Sequence, residues 1–329
     1  MTGLGHVGVI TDTGRKRRRN EDAYVCEPPL FAIADGMGGA QAGEVASRLA
    51  AAALRESGAK TLGGERRISD LIQEANRRVY DRSSTDPNTS GMGTTITVAL
   101  VENDNVAFGH VGDSRAYLIR DGRMEQVTED HSLVNELLKS GKLSREEAES
   151  HPQRSVITRA LGTDPDVDVD TFTIAAEVGD VFLLCSDGLT DMVGEGEILE
   201  LVERSRDDLN SALKSLVRAA NRSGGDDNIT VVAFEIAEGQ MLTHDGETRE
   251  DVLSAPRRDQ EDTLTEADAV PAVDTAVISA AEIQAELDAK ERQDRARRRR
   301  RLRRSIVAWL ALLAIAAGIA LALYLRFVR

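Results

Sequence analysis

The stretch "FAIADGMGG", residues 31–39, is an apolar run that ends abruptly at one aspartate, Asp35. A carboxylate at the end of a buried strand is costly unless a cation or hydrogen bonds compensate it. The glycines that follow lead into "AQAGEVASRLAAAALRES" (40–57), whose apolar spacing predicts a helix. A similar arrangement returns in "VFLLCSDGLTD", residues 181–191. The two stretches are either two ordinary turns or two halves of one site.

Length and composition limit the class of protein. The chain has 329 residues, enough for one large domain with appendages or for two domains. Its formal net charge of −15 argues against a nucleic-acid binder, which usually has a basic face. Cys26 and Cys185 lie in strand-like runs without metal or redox spacing, which favours buried, reduced thiols of a cytosolic domain. The first residues lack the pattern of a secretory signal peptide.

Residues 1–237 are predicted to form one folded unit. Short apolar strands separated by hairpin-sized gaps, together with helices in pairs, predict an α+β fold with antiparallel sheets. Besides the helix at 40–57, helices are predicted at 68–83, 132–141 and 144–150 and in two segments before a closing strand at 228–236. A loop is predicted before the strand that ends at Asp187.

The composition changes sharply after residue 237. Residues 238–294 are rich in acids and contain no aromatic residue, which predicts a disordered linker. The basic juxtamembrane segment "RARRRRRLRR" (295–304) precedes 305–325, which is apolar on every face and long enough to cross a bilayer. Because cationic side chains accumulate on the cytoplasmic flank of a span, we expect a single-pass membrane protein with a cytoplasmic folded unit and a short outer tail, 326–329.

Acidic residues stand at the ends of several predicted strands. Apolar runs end at Asp35, Asp113 and Asp187, and "GGDDNITVV" places Asp226 and Asp227 at the start of another strand. If these strand ends converge, they form an oxygen-lined pocket suited to Mg²⁺ or Mn²⁺, whereas no His or Cys has zinc-ligand spacing. The alternative is that each Asp-Gly pair is a hairpin turn. Patterning alone supports both interpretations about equally.

A second Asp-Gly pair shows the alternative at its strongest. In "YLIRDGRMEQV", Asp121 and Gly122 lie between two alternating strands, which favours a turn.

A further stretch, "GRKRRRNEDAY" (14–24), places a basic run directly before Asn20, Glu21 and Asp22. Alone, that run is typical of a solvated loop. Beside the carboxylates, it supplies a cation for an anionic substrate.

Eight motifs, in one order, connect residues 6 to 236 with a known family. They are "RRRNEDAY", "ADGMGG", "GEVAS", "GMGTT", "GHVGDSRAYL", "HPQRSVITRALG", "LLCSDGLTD" and "GGDDNIT". Any one motif is weakly specific, but the ordered set is highly specific. Together they resemble the metal-dependent protein serine/threonine phosphatases of the phosphatase 2C type, and the short "ADGMGG" form resembles the bacterial branch.

The resemblance implies a fold and a metal centre. The implied fold is a central antiparallel β-sandwich of two sheets flanked by pairs of α-helices, in four layers. The implied cofactors are two Mn²⁺ or Mg²⁺ ions, with a third ion in bacterial members. The implied ligands are Asp35, which bridges two ions, the Gly36 carbonyl, Asp187 and Asp227, with Asp113 and Asp191 at the third site. Glu21 and Asp22 are implied to position the water molecules of the metals.

The resemblance also implies the chemistry. Arg17 aligns with the arginine that grips the substrate phosphate, although the run Arg15 to Arg19 leaves the register open. The implied reaction is hydrolysis of phosphoserine and phosphothreonine by activated water, without a phosphoenzyme. No Cys-x5-Arg loop is present, which excludes a cysteine-based tyrosine phosphatase. Met37 stands where many eukaryotic members have a histidine as proton donor, so we expect no histidine acid.

The expected partners are phosphorylated proteins, including membrane serine/threonine kinases, and the membrane itself through 305–325. An alternative is a catalytically inactive pseudophosphatase that binds phosphoproteins or a kinase. The intact set of Asp35, Asp187 and Asp227 favours the enzyme, because a scaffold is free to lose its ligands.

Overall fold

The computed structural model describes residues 2–38, 42–56, 63–144, 147–148 and 151–239. All of them belong to the first of the two units into which the chain divides, Met1–Val277. Within these ranges, no helix has both the length and the apolar character needed to cross a membrane. The predicted linker, basic segment, transmembrane helix and tail lie outside the described residues.

The regular elements are short strands and helices, which occur in runs along the chain. The strands are β1 (Thr2–Asp12), β2 (Asp22–Glu27), β3 (Leu30–Met37), β4 (Gly93–Thr94), β5 (Ile96–Glu102), β6 (Asn105–Val111), β7 (Arg115–Arg120), β8 (Arg123–Gln126), β9 (Asp170–Ala175), β10 (Val181–Cys185) and β11 (Ile229–Glu238). The helices are α1 (Ala42–Glu56), α2 (Gly64–Thr85), α3 (Leu133–Lys139), α4 (Asp187–Thr190), α5 (Glu195–Arg204) and α6 (Leu209–Ser223), with a 3₁₀ turn at Pro87–Thr89.

The strands form two sheets. The first has the order β1-β11-β10-β7-β8, and the second has the order β2-β3-β5-β6-β9, with β4 paired to the end of β3. The described strand pairings are antiparallel. The predicted α+β class with antiparallel sheets is therefore confirmed.

The core between the sheets is built from alternating side chains that point to one face of each strand. Its largest members are Phe31 of β3, Phe108 of β6, Phe182 of β10 and Phe234 of β11. The rings of Phe31 and Phe234 stack with centroids 4.2 Å apart, and those of Phe182 and Phe234 lie 5.3 Å apart. Burial of each ring contributes roughly 1.5–3 kcal/mol to the stability of the fold, so the packing of these rings holds β3, β6, β10 and β11 together.

Helices cover the outer face of each sheet. The alanine-rich helix α1 packs with α2 on the second sheet, and its small buried residues, such as Ala46 and Ala50, allow close approach. Helices α5 and α6 pack on the first sheet, and Asp208 caps α6 by accepting a hydrogen bond from the backbone N–H of Ser211. The result is the expected four-layer arrangement of helices, sheet, sheet and helices.

Three local predictions need correction. The predicted loop before residue 181 contains the strand β9, an edge strand that pairs with β6 and is only half buried, so its hydrophobic signal is weak. The predicted single strand 94–102 is divided at Thr95, because Gly93 and Thr94 pair with Met37 and Gly36 while the rest pairs lower on β3. Helix α2 begins at Gly64, four residues before the predicted start. Of the predicted helix 144–150, only residues 147–148 are described as helical.

Candidate metal centre

The ends of five strands bring five aspartates together at one end of the sandwich. Asp22 of β2 lies directly opposite Asp35 of β3 in the antiparallel register. Directly opposite residues have Cβ atoms only about 4.5–5.5 Å apart. Asp113 follows β6, Asp187 follows β10 as the first residue of α4, and Asp227 precedes β11. We call Asp22, Asp35, Asp113, Asp187 and Asp227 the acidic cluster.

Burial and mutual repulsion disturb the titration of the acidic cluster. Burial, followed by repulsion from Asp22, Asp187, Asp227 and Asp113, raises the pKa of Asp35 well above its usual range. Burial, followed by repulsion led by Asp113 and Asp227, does the same to the pKa of Asp187. The five carboxylates are therefore close enough to repel one another, and a bound positive charge would stabilise them strongly.

The carboxylates at the edge of the cluster respond in the same direction. Burial raises the pKa of Glu21 to about 7, against the opposing charge of Arg17. Burial raises the pKa of Asp113 to about 7, with Asp130 adding repulsion. Burial also raises the pKa of Asp191. Perturbed carboxylates gathered in this way are typical of functional sites.

The residues present fit a hard divalent cation. Asp22 Oδ1 and Asp187 Oδ1 are buried and have no hydrogen-bond partner. Unpaired buried carboxylate oxygens are costly, and Mg²⁺ and Mn²⁺ prefer such oxygen ligands. Among the described residues, no three His, Cys, Asp or Glu side chains are arranged, as they stand, so that they could hold a metal ion. The arrangement is an open acidic cluster, and its unpaired oxygens are the feature that suits it to metal ions.

Gly36 is required by close packing. A Cβ atom at Gly36 would lie 2.1 Å from the Gly43 carbonyl oxygen and 2.6 Å from the Glu21 carbonyl oxygen. Gly188, which follows Asp187, has the same constraint, with the Asn228 carbonyl oxygen 2.1 Å away. The glycine after each of these aspartates therefore lets a second backbone segment approach the acidic cluster.

The basic loop between β1 and β2 is attached to the loop before β11. The backbone N–H groups of Arg15 and Lys16 donate to the Gly225 carbonyl oxygen at 2.7 and 3.2 Å. The Lys16 ammonium lies 2.7 Å from Asp226 Oδ1, and Arg17 Nη2 lies 2.8 Å from Asp227 Oδ2. Within the run Arg15 to Arg19, the structure thus places Arg17 on the acidic cluster.

The charge of Arg17 is stabilised by its surroundings. Partial burial lowers the pKa of Arg17, but the attraction of Asp227, Glu21 and Asp35 outweighs burial and raises it. The guanidinium is about one-third exposed. A cation that faces both the carboxylates and solvent is well placed to receive an anionic group.

The two residues predicted for a third metal, Asp113 and Asp191, follow β6 and α4. Asp113 follows Gly112, whose φ of +115° favours glycine at that bend. Asp191 directly follows α4, and Arg154 Nη2 lies 3.3 Å from its Oδ2. Repulsion from Asp191 contributes to the raised pKa of both Asp113 and Asp187, so the three carboxylates are neighbours.

The described histidines do not enter the acidic cluster. His110 is fully buried between Thr97 and the Glu129 carbonyl oxygen, and its pKa is lowered to about 4 chiefly by burial. His131 contacts Asp170. Met37 packs with Ile157 and other apolar residues. The expectation that no histidine acts as the acid stays a prediction.

Sequence reasoning missed the residues that hold the site together. Asn228 accepts a hydrogen bond from the backbone N–H of Glu21 at 2.7 Å and donates to the carbonyl oxygens of Thr13 and Arg19 at 3.0 and 2.9 Å. Ser186 and Thr230 donate to Asp22. The signal was present, because Asn228 and Thr230 lie in "GGDDNIT", but local sequence does not show what their side chains contact.

The fold and the site together define a class of protein with a β-sandwich and an acidic, metal-type centre at its edge. The family described as "Protein phosphatase 2C" matches residues 15–232. The chain therefore belongs to the protein phosphatase 2C family.

Named relatives and solved structures agree. The serine/threonine phosphatase stp of Listeria innocua is 41% identical over 241 residues, which cover 70% of this chain and 95% of that protein. A crystal structure of the Mycobacterium tuberculosis phosphatase PstP/Ppp is 38% identical, with a TM-score of 0.68, and covers 71% of this chain and 99% of its own. A structure of the PstP catalytic domain with two manganese ions is 34% identical, with a TM-score of 0.67, and covers 72% and 100%.

Proposed function

We propose that this chain hydrolyses phosphoserine and phosphothreonine in proteins, using two Mn²⁺ or Mg²⁺ ions. The observation that carries the proposal is the acidic cluster, in which two buried carboxylate oxygens have no partner and an arginine stands beside them. Family membership and relatives named as serine/threonine phosphatases support the same activity. They favour it over the alternative of an inactive pseudophosphatase.

The cluster divides into a principal and a peripheral metal site. Asp35, the Gly36 carbonyl, Asp187 and Asp227 are the residues that would hold two ions, and Asp113 and Asp191 would hold a third. When bound, such ions lower the pKa of a water molecule for in-line attack and offset charge on the phosphoryl oxygens.

Arg17 binds and orients the phosphate. Its guanidinium can donate two parallel hydrogen bonds to phosphoryl oxygens, which a lysine cannot do. Because Arg17 already lies 2.8 Å from Asp227, a phosphate held by Arg17 sits beside the principal metal site.

Glu21 and Asp22 orient water at the cluster. Asp22 Oδ1 is buried and unpartnered, so it can accept a hydrogen bond from the attacking water and fix its direction. Met37 has no proton to give, and the described histidines bond elsewhere. Protonation of the leaving serine or threonine oxygen is therefore assigned to water.

A direct experiment tests the activity. The full-length chain should release phosphate from a phosphothreonine peptide with Mn²⁺ and lose that activity in EDTA, with recovery when Mn²⁺ is added back. The Asp35→Asn chain serves as the control for contaminating phosphatases. Turnover that persists after thorough chelation would overturn the metal-dependent proposal.

We also propose that 305–325 anchors the chain in the cell membrane, with the catalytic domain in the cytoplasm. The support is the sequence: the apolar run has no polar face, and arginines are concentrated at 295–304, on its N-terminal flank. A linker of about 57 residues, if it behaves as a random coil, lets the active site range roughly 40–45 Å from the membrane. Membrane-proximal substrates, such as the cytoplasmic domains of serine/threonine kinases, would be favoured.

The anchor has its own test. Detergent should extract the full-length protein from membranes, whereas alkaline carbonate should not. Protease added outside intact spheroplasts should leave the catalytic domain whole. Extraction by carbonate would refute the span, and external digestion of the catalytic domain would refute its orientation.

A further inference from the structure

The carboxylate of Asp22 is held by a ring of hydrogen bonds. Thr230 Oγ1 lies 2.6 Å from Asp22 Oδ2, and Ser186 Oγ lies 3.0 Å from the same oxygen. Thr230 Oγ1 also lies 2.7 Å from Thr11 Oγ1, which accepts from Asn20 Nδ2 at 2.7 Å. The ring closes because Asn20 Oδ1 accepts from the backbone N–H of Asp22 at 3.1 Å.

The direction of each bond in this ring is determined. Asn20 Oδ1 is engaged by a backbone N–H, so the amide nitrogen must face Thr11 and donate to it. Thr11 Oγ1, having accepted that hydrogen, donates its own to Thr230 Oγ1, and Thr230 donates in turn to Asp22 Oδ2. Each hydroxyl therefore points its hydrogen towards the carboxylate, as an ionised acceptor requires.

Ser186, which lies between β10 and α4, completes the arrangement. Its Oγ accepts from the backbone N–H of Thr230 at 3.0 Å. Its own hydrogen has two acceptors in reach, Asp22 Oδ2 at 3.0 Å and the Asn228 carbonyl oxygen at 3.3 Å, and the charged, nearer carboxylate is the stronger of the two. Ser186 and Thr230 are both fully buried. Asp22 Oδ2 thus has two donors, while Asp22 Oδ1 is buried with none.

We propose that Thr230 and Ser186 are positioning residues, which occupy one oxygen of Asp22 so that the other is presented to the metal centre in a single orientation. This inference rests on the proposed function, because it assumes that divalent ions and their water molecules occupy the acidic cluster. The hydroxyls touch neither substrate nor metal and act only through Asp22. Loss of such an outer contact typically costs about 10–100-fold in metal affinity or activity.

The test compares a hydroxyl with an isosteric methyl group. In the full-length chain, Thr230→Val keeps the shape but removes the donor, whereas Thr230→Ser keeps the donor. Thr89→Val is a matched control, because Thr89 is also buried but its hydroxyl donates to the nearby backbone carbonyls of Arg82 and Asp86 and to no carboxylate of the acidic cluster. Free Mn²⁺ is measured by electron paramagnetic resonance during titration, and the melting temperature is measured in EDTA.

We expect Thr230→Val to bind Mn²⁺ about 10–100-fold more weakly, and Thr230→Ser to bind within about threefold of wild type. Thr89→Val should lower the melting temperature without changing Mn²⁺ affinity. Equal Mn²⁺ affinity in Thr230→Val and wild type would overturn the proposal, as would equal weakening in Thr230→Val and Thr230→Ser.

Two further measurements keep the outcome decisive. Ser186→Ala removes the other donor, and it should weaken Mn²⁺ binding in the same direction if Thr230→Val fails to fold; an unchanged affinity would again overturn the proposal. Wild-type chain that binds no Mn²⁺ would refute the proposed function itself. Wild-type chain that binds Mn²⁺ with variants that match it would refute only the positioning role.

Discussion

Among the Asp-Gly dipeptides of the chain, those at Asp35–Gly36 and Asp121–Gly122 have different structures. Asp121 and Gly122 have φ values of 52° and 69°, so both lie in the left-handed region and form the tight hairpin between β7 and β8. A Cβ atom on Gly122 would meet nothing within 4 Å. Gly122 is therefore required by its left-handed backbone conformation and not by close packing.

At Asp35–Gly36 the backbone remains in strand β3 and the glycine serves packing instead. Its missing side chain admits the Gly43 and Glu21 carbonyl groups, and the aspartate before it is enclosed with four other carboxylates. The difference shows that the same dipeptide has two uses. At Asp121–Gly122, where no other segment packs against the glycine, it forms a turn; at Asp35–Gly36, where a second segment packs against the glycine, it lies in the acidic cluster.

The largest expected difference is between variants of the two aspartates, Asp35 and Asp121. Asp35→Asn should lower kcat/KM at least about a thousandfold, or ~4 kcal/mol, because a neutral amide would hold the proposed divalent ions less well than a carboxylate. Asp121→Asn should stay within about twofold of wild type, since asparagine tolerates positive φ. Phosphate release from a phosphothreonine peptide measures both. Near-wild-type turnover in Asp35→Asn would remove Asp35 from the metal site.

The two glycines give the next largest contrast. Gly36→Ala should reduce kcat/KM by several hundredfold, because the Gly43 carbonyl must move away from a Cβ only 2.1 Å distant and the cluster must open with it. Its overpacking should also destabilise the fold by about 1–3 kcal/mol. Denaturant unfolding and steady-state kinetics measure the two effects. Full activity in Gly36→Ala would mean that the close approach does not support the site.

The acidic cluster has a cationic neighbour, Arg17, which contacts Asp227. Arg17→Ala should lower kcat/KM by about tenfold to a thousandfold, or roughly 1.4–4 kcal/mol, because the phosphate loses a two-pronged donor. Arg18→Ala tests the register within the basic run and should have less effect. A silent Arg17→Ala beside an impaired Arg18→Ala would show that the neighbouring arginine grips the phosphate.

In metal-free protein, the free energy of unfolding should depend on pH through the acidic cluster and not through the hairpin. The pKa of Asp22 is raised to about 6, mainly by burial, and those of Glu21 and Asp113 are raised to about 7. Between about pH 4 and pH 7 the folded state therefore holds protons that the unfolded state has lost, so stability falls as pH rises. We expect a loss of roughly 2–4 kcal/mol from pH 5 to pH 8 in EDTA.

Thermal unfolding at several pH values measures this slope. Asp35→Asn should flatten it, because one of the repelling carboxylates is gone, whereas Asp121→Asn should leave it unchanged. Added Mn²⁺ should also flatten it by compensating the charges. A metal-free protein whose stability rises over this range would contradict the electrostatic account of the cluster.

The smallest effect is expected at the hairpin glycine. Gly122→Ala places a Cβ in open space but in the left-handed region, which costs about 1–2 kcal/mol. Unfolding in urea should detect this loss while kcat/KM stays within about twofold of wild type. A large loss of activity would show that the hairpin communicates with the active site.

The four-layer architecture and the family could be predicted from the order of apolar runs and motifs, and both predictions are confirmed. The edge strand β9 could not, because a half-buried strand has a weak hydrophobic pattern. The roles of the predicted ligands Asp35, Gly36, Asp187, Asp227, Asp113 and Asp191 remain predictions, although the structure brings these residues together. The predicted linker and membrane span, 238–294 and 305–325, lie outside the described residues and also remain predictions.

The sequence by itself determined where strands stop and which of them stop at an acid, because strand and turn preferences act over a few residues. Only the tertiary structure shows that Asp35 and Asp187 lie in one cluster, that Arg17 contacts Asp227 and that Ser186 and Thr230 donate to Asp22. Arg17 and Asp227 are 210 residues apart in sequence, and Asp22 and Thr230 are 208 apart. Contacts over such distances are set by the pairing of strands and the packing of two sheets, which no local pattern records.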